Sequence, residues 1–428
     1  MQVTEHFDVI VIGAGAAGLC AARELTRVKM KILLLEARHR IGGRMYTNIP
    51  HNFTVPIERG AEFIHGEASH TFQLLQEAKG EWVRIEGNTY QAHNDTIEET
   101  DFFDNDWSLI LEKLETLTTD MTFADFLSEH FDGAAYETLR EKITKFVEGY
   151  NAADITRVSS LALREEWSED EDPAQYRING GYAKLYEHLE REIAYSGGVM
   201  RLKNEVSEIV WKRGEVEVRT QVESFKAKKC LITIPVSLLS TNAIRFQPAV
   251  PHIQAAASKI GFGGVVKVTL EFKSLFWETK PSKKFKNVQF IFSDEKIPTW
   301  WSQFPNRTPL LTGWVGGPPS TKLSEDDTVV VNAAIESLAN ALHYPAEQIR
   351  QELKAWHVDR WTNEEFSCGA YSYAMLGTTE AINILQTPLE DTLYFAGEAI
   401  YKGPHRSTVE AALVSGHDAA KQICKKLI

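Results

Sequence analysis

Three glycines, one glutamate and a short arginine run near the start of the chain have the types and spacing to hold a dinucleotide. The glycines stand in Gly13-Ala14-Gly15-Ala16-Ala17-Gly18, and the glutamate is Glu36. In a GxGxxG turn the first glycine permits a tight reversal and the second lets backbone N–H groups approach a pyrophosphate. The third lets a helix lie close on a strand. Ala16 and Ala17 would open that helix, where the backbone dipole favours an anion. Glu36, followed by Ala37, is spaced to accept hydrogen bonds from an adenosine ribose. Arg38, Arg40 and Arg44, around the pair Gly42-Gly43, would set positive charge beside two phosphates. By composition alone the same run also suits a solvated basic loop.

A lone GxGxxG is weak, so the elements that must position it carry the argument. An apolar run, FDVIVI, enters the turn, a helical stretch leaves it, and a second apolar run, KILLL, ends on Glu36. That order is strand, turn, helix and strand with an acid at its tip, the pattern of a Rossmann unit. Nicotinamide and flavin dinucleotides share the adenosine half, so this unit does not choose between them.

The run Glu36-Ala37-Arg38-His39-Arg40-Ile41-Gly42-Gly43-Arg44 directly after such a unit resembles the flavin amine oxidase superfamily. That superfamily includes monoamine oxidases, polyamine oxidases, lysine-specific histone demethylases and L-amino-acid oxidases. Further segments match in order along almost the whole chain. Glu58 to Gly66 is similar to the stretch that, in polyamine oxidases, runs beneath the flavin. By that resemblance Gly60, Ala61, Glu62 and Phe63 meet the cofactor and His65 faces the substrate cavity. Val206, in KNEV, resembles the valine whose backbone contacts adenine, and Lys267, in GVVKV, the lysine that holds a water near flavin N5. Trp361 and Tyr371 resemble the tryptophan and tyrosine beside the isoalloxazine. Gly397 and Glu398 in FAGEA, with Thr408 and Val409 in STVEAA, resemble the closing FAD motif. The resemblance implies FAD and an α/β fold: a Rossmann-like FAD-binding domain with a discontinuous α+β substrate-binding domain.

The chain also departs from parts of the family. Monoamine oxidases attach flavin to a cysteine just before the tyrosine; here Ala370 stands there and Cys368 lies two residues too early. The FAD is therefore expected to be non-covalent. Where monoamine oxidases carry a second cage tyrosine this chain has Thr408, closer to spermine oxidases and the demethylases. Glu410 and Ala411 replace a His-Gly common in those relatives.

Bulk properties suit a globular enzyme. The 428 residues can bury a large core and divide into two domains. No apolar run is long enough to cross a bilayer. No charged-then-apolar leader precedes the first strand, so the expected address is cytoplasmic and no membrane partner is expected. Four cysteines without CxxC spacing, and histidines without HExxH, give no disulfide framework and no metal site. A net charge of −13 disfavours nucleic acid and favours cationic partners. Acidic clusters at Glu98, Glu99, Asp101, Asp104 and Asp106, and at Glu165, Glu166 and 169–172, would attract polyamines if they lined a cavity. More often such runs are solvated loops.

Residues 1–75, 197–262 and 363–428 are expected to form the FAD-binding domain, and 76–196 with 263–362 the substrate-binding domain. The first insertion reads as mostly helical, with WSLILEKLETL and with FADFLSEHF capped by Thr122. The second reads as strand-rich, from VVKVTLEF through VQFIF to LLTGWVGG. A helix, AKLYEHLEREIA, lies between Gly-Gly turns, and residues 408–426 read as an amphipathic helix.

Periodicity alone makes Lys267 solvent-facing, because it shares one strand face with Thr269, Glu271 and Lys273. The other reading lines the cavity with that face. His65 is equally open, either a loop histidine bonded to backbone or a cavity group titrating near neutral pH. Trp361, Tyr371 and Tyr373 could be plain core aromatics.

The resemblance implies hydride transfer from the carbon next to a neutral amine to flavin N5. Imine hydrolysis to an aldehyde and reduction of O2 to H2O2 would follow. Polyamines or related primary and secondary amines rank first as substrates. An L-amino-acid oxidase would need a carboxylate clamp from Arg59, Arg164 or Arg406. A flavin desaturase ranks lower, and a flavin-bearing interaction protein without turnover is the alternative from another class.

Overall fold

The computed structural model describes residues 6–93, 96–100, 105–168, 174–281, 284–403 and 405–425. Asp101, Asp104 and 169–172 of the acidic clusters lie outside them, as does the side chain of Asp106.

The runs FDVIVI and KILLL form His6–Ile12 and Ile32–Leu35, parallel neighbours in an eight-stranded sheet. Val199–Arg201 extends one side and Ser224–Ile232 the other, with Leu393–Phe395 parallel to the end of the latter. Strands Glu215–Thr220 and Val206–Lys212 continue the sheet antiparallel. Helices cover both faces, which is why these strands read as continuous apolar runs instead of alternating ones. On one face lie Ala16–Arg27, Ser69–Glu77 and Val409–Lys425. On the other lie Val236–Ser240, Pro251–Ala257 and Thr378–Gln386.

The helix Ala183–Tyr195, placed by sequence within the substrate unit, packs against Ala16–Arg27 instead. Its Leu185, Leu189 and Ile193 join the core around Leu19, Ala22 and Leu25. Gly-Gly turns bracket a helix wherever it docks, so they did not reveal which face receives it.

A seven-stranded sheet carries the other unit, in the order 353–360, 265–272, 310–316, 299–302, 288–293, 88–93, 96–99. Asp327–Leu342 covers one face. Helices Asn105–Glu115, Phe123–His130, Glu137–Tyr150 and Ser160–Ser168 form a separate helical cluster, and Thr122 caps the second through the Asp125 N–H. Ile260–Gly263 pairs with Tyr371–Ala374 between the large sheets.

All eight residues of Val265–Phe272 are buried, so the solvent-facing reading of Lys267 fails. The strand lies between 310–316 and 353–360, and its polar face is covered by residues 54–62. Glu271 on that face accepts from the Thr54 N–H and from Lys354.

Candidate active site

One cavity of about 1940 Å³ runs from the glycine turn to His65, Lys267, Trp301 and Tyr371. Every cofactor or catalytic candidate singled out from sequence lines it except Gly18 and Arg40. Gly18 does the packing work read for it. A Cβ there would lie 1.9 Å from the Gly13 carbonyl and 2.8 Å from Thr233 Oγ1. Gly13, at φ +101°, makes the reversal.

The adenosine end fits a dinucleotide. The helix Ala16–Arg27 begins at the cavity with no side-chain cap at Gly15, leaving its first N–H groups free to face phosphate. A Cβ on Gly15 would project into open space, nearest Gly43 Cα at 4.0 Å, so this cradle is shaped by a missing side chain. Glu36 is held by N–H groups of Ala14 (2.8 Å) and Arg38 (2.9 Å) and keeps lone pairs for a ribose. The volume exceeds the roughly 300–1,000 Å³ of ordinary ligand sites, enough for FAD with a substrate beside it.

The three arginines separate. Arg44 stays at the cavity, bonded to the Ala370 carbonyl and Glu398 at 2.8 Å each. Glu398 also accepts from Ser372 at 2.5 Å. Arg38 lines the cavity but forks onto Glu364. Arg40 turns away, stacking on Tyr46 at 3.7 Å and donating to the Gly43 carbonyl, so the expectation of three arginines beside the pyrophosphate reduces to two.

At the far end Lys267 Nζ donates to the Glu58 carbonyl (2.5 Å), the Gly60 carbonyl (3.3 Å) and Glu62 Oε2 (2.7 Å). An ammonium has three donors, and all three are taken by protein. The resemblance gives this lysine a water to hold; in this structure its ammonium faces residues 58–62. Glu62 is held in turn by Arg177 (2.6 Å) and Gln303 (2.9 Å), and the two cations Lys267 and Arg177 keep its carboxyl low, at about 2 against the cost of burial.

His65 sits edge-on to Phe63 and Tyr150, with ring centroids 6.2 and 6.3 Å away. Burial, then repulsion from His405, lowers it to about 4. Titration near neutral pH is thereby corrected: the ring stays neutral there. Tyr371 donates to the Tyr150 carbonyl (2.6 Å) and stacks on Trp314, while burial pushes its hydroxyl upward. Trp361 Nε1 donates to the Arg59 carbonyl, and its ring lies 3.0 Å from where a Cβ on Gly60 would stand. The Thr408 hydroxyl accepts from the Ala411 N–H and donates to the His405 carbonyl, so it caps the last helix rather than offering a free catalytic group.

Sequence reasoning missed Arg177 and Gln303, and the aromatic wall of Tyr150, Trp301 and Trp314. These residues arrive from four other segments, and the only advance signal was an acid, Glu62, that a buried site would have to neutralise. Among the carboxylate-clamp arginines, Arg59 is paired with Asp359 and Arg164 donates to the Leu117 carbonyl. Only Arg406 of these lines the cavity, 3.9 Å from Glu165.

Among the described residues no helix is long and apolar enough to cross a membrane, and no side-chain group could hold a metal.

Comparison with known proteins agrees with this geometry. Residues 11–78 match the NAD(P)-binding Rossmann-like domain. The chain is 26% identical to the probable polyamine oxidase 4 of Arabidopsis thaliana, over 98% of this chain and 87% of that protein. It is 27% identical to the lysine-specific histone demethylase 1B of Mus musculus, over 97% of this chain but 52% of that protein, about half its length. Among solved structures, cyclohexylamine oxidase from Brevibacterium oxydans IH-35A superposes with a TM-score of 0.82 at 22% identity, covering 98% and 99% of the two chains. Putrescine oxidase bound to putrescine also superposes at 0.82, with 18% identity and coverage of 99% and 100%; these two likenesses concern the fold. The description "Flavin containing amine oxidoreductase" matches residues 105–424, well over half of the chain. The chain therefore belongs to the flavin-containing amine oxidoreductase family and is an FAD-dependent amine oxidase.

Proposed function

We propose that the enzyme oxidises a C–N bond of a polyamine, or of another primary or secondary amine bearing a second cationic group. The observation that carries this reading is the pair Glu148 and Glu166 in the wall of the aromatic end of the cavity. Glu166 accepts from Asn151 Nδ2 at 2.8 Å, and its charge contributes to the upward shift of Tyr371. Burial, then Asp154, raises Glu148, and a bound ammonium would relieve that cost. Glu98 and Glu165 add negative charge toward the rim, where cations are also present. Of these, Lys145 is neutralised by Asp294. Relatives named polyamine oxidase point the same way.

FAD, when bound, supplies the hydride acceptor and passes the electrons to O2, giving H2O2. The chain's residues do the rest. Tyr371, Trp314 and Trp301 provide an apolar wall that excludes water and faces the substrate carbon. Neutral His65 adds no positive charge to repel an incoming ammonium. Gly60, Ala61 and Phe63 would lie along the ring system, and Val206, Gly397 and Val409 along the remainder of the cofactor. With Ala370 beside Tyr371 and exposed Cys368 donating to the Glu365 carbonyl, we assign non-covalent attachment. Four unpaired cysteines support a reducing, cytoplasmic setting. We retain the two-domain division, moving the helix 183–195 to the FAD-binding unit.

An L-amino-acid oxidase reading fares worse, because Arg406, the one clamp candidate in the wall, lies near Glu165. The test is anaerobic mixing with spermine, spermidine, acetylated polyamines, aromatic monoamines and L-amino acids while the visible flavin band is followed. Rapid bleaching by polyamines or diamines is expected. Bleaching by L-amino acids alone, or by none of the panel, would overturn the proposal.

A further inference from the structure

The helices 16–27, 69–77 and 409–425 share one core on the same face of the eight-stranded sheet. The first and last approach closely, since a Cβ on Gly416 would stand 2.2 Å from the Ala17 carbonyl. Arg23 of the first pairs with Glu77 at the end of the second. The third side of this triangle is Glu410, 8% exposed and unused by the reaction as described. It reaches from the first turn of the last helix to the N-terminus of helix 69–77, where Ala68 supplies no side-chain cap. One carboxylate oxygen accepts there from the His70 N–H at 2.9 Å. The other accepts from the Thr71 N–H at 2.8 Å and the Thr71 hydroxyl at 2.7 Å. His70 Nδ1 lies 3.3 Å from the first oxygen. Burial would raise the carboxyl, but the bonds from His70 and Thr71 hold it below its ordinary range, so the clamp is the anion. Charge-assisted bonds to two otherwise orphaned N–H groups of a helix are among the stronger ones a side chain makes.

We propose that Glu410 is a positioning residue for the cofactor: by pinning the first turn of the last helix to helix 69–77, it sets Thr408, Val409 and Ala412 in the cavity wall. Those three line the cavity and Glu410 does not, so the acid acts through them. The segment leading into the turn is a poor anchor by itself. His405 and Ser407 stand there at φ +58° and +68°, a conformation that costs energy for residues carrying a Cβ. Ser407 ties the segment to the Ser372 carbonyl. Glu410 supplies the second tie, on the helix itself. The amine end is built from other segments, through Tyr371, Trp301 and Trp314, so the effect of the clamp falls on the hold over FAD and not on the hold over the amine. This rests on the reading that FAD lies along Val409.

The test is the rate at which diluted holoenzyme releases FAD, read from recovery of flavin fluorescence, beside steady-state peroxide assays with excess FAD. Glu410→Gln sets an amide NH2 against one of the two N–H donors and should speed release roughly tenfold. Its KM for the amine at saturating FAD should stay within about twofold of wild type. Thr71→Val removes one bond to the same carboxylate and should speed release roughly fivefold, while Thr71→Ser restores the hydroxyl and should stay within about twofold. Leu74→Ala, buried in the same helix without touching Glu410, should lower the melting temperature yet leave release within about twofold. Unchanged release in Glu410→Gln, equal acceleration in Leu74→Ala, or an amine KM that shifts as far as release overturns the proposal. Should Glu410→Gln not fold, the Thr71 pair decides, and equal release in Thr71→Val and Thr71→Ser overturns it. Wild-type protein that binds no FAD would refute the functional reading instead.

Discussion

Gly15 and Gly18 share one turn, yet an added methyl should act on different steps at the two sites. At Gly15 the backbone is at φ −80°, ordinary for any L residue, and the atom nearest to a new Cβ is Gly43 Cα at 4.0 Å. Gly15→Ala apoprotein should therefore unfold within about 0.5 kcal/mol of wild type. The methyl would instead occupy the cradle. Losing one backbone hydrogen bond to a charged phosphate costs about 1.5–3 kcal/mol, which weakens FAD binding roughly ten- to hundredfold. Gly18→Ala meets the Gly13 carbonyl at 1.9 Å and Thr233 Oγ1 at 2.8 Å, so the helix must move off its strand. Overpacking of this kind costs about 1–3 kcal/mol before any cofactor binds. Urea unfolding of the two apoproteins, with fluorescence titration by FAD, separates the effects. Equal unfolding midpoints, or wild-type FAD affinity in Gly15→Ala, would refute the reasoning.

His65 is lowered to about 4 from 6.5, so the unfolded chain takes its proton first as pH falls. Stability should decline between pH 6.5 and 4 by up to about 3 kcal/mol from this group, and His65→Gln should remove that part of the slope in urea unfolding across the range. Glu166→Gln should raise KM for diamines and polyamines roughly tenfold, a loss of about 1.4 kcal/mol, while KM for monoamines stays put in steady-state peroxide assays. Glu62→Gln alone takes the shared carboxylate from two buried cations, Lys267 and Arg177, and should cost about 3–5 kcal/mol in unfolding free energy. Pairing it with Lys267→Met removes one of those cations and should recover part of that loss in the same measurement.

The glycine turn, Glu36 and the flanking strands were legible because their constraints are local: a positive φ at Gly13 and a close approach at Gly18 involve a few adjacent residues. The helices at 105–115, 123–130 and 409–425 were legible through their apolar spacing. Lys267 was not. A period of two reports that a strand has two faces but not that residues 54–62, far earlier in the chain, cover the polar one. The same distance hid Arg177 and Gln303, whose meaning depends on Glu62 being buried. Thr408 was recognisable as part of a motif, but whether its hydroxyl serves a ligand or the next turn of helix is decided by backbone direction.

The strand Leu393–Phe395 lies parallel to Ser224–Ile232, and the helix Val409–Lys425 lies against Ala16–Arg27, with a Cβ on Gly416 only 2.2 Å from the Ala17 carbonyl. During synthesis the glycine turn therefore leaves the ribosome hundreds of residues before the pieces that back it. Until they arrive, the first helix has an apolar flank without its cover and the sheet has an unpaired edge, features that make partly made chains prone to association. Cofactor capture is accordingly one of the last events in the making of this enzyme, and flavin supply would act on the finished chain rather than on its nascent beginning.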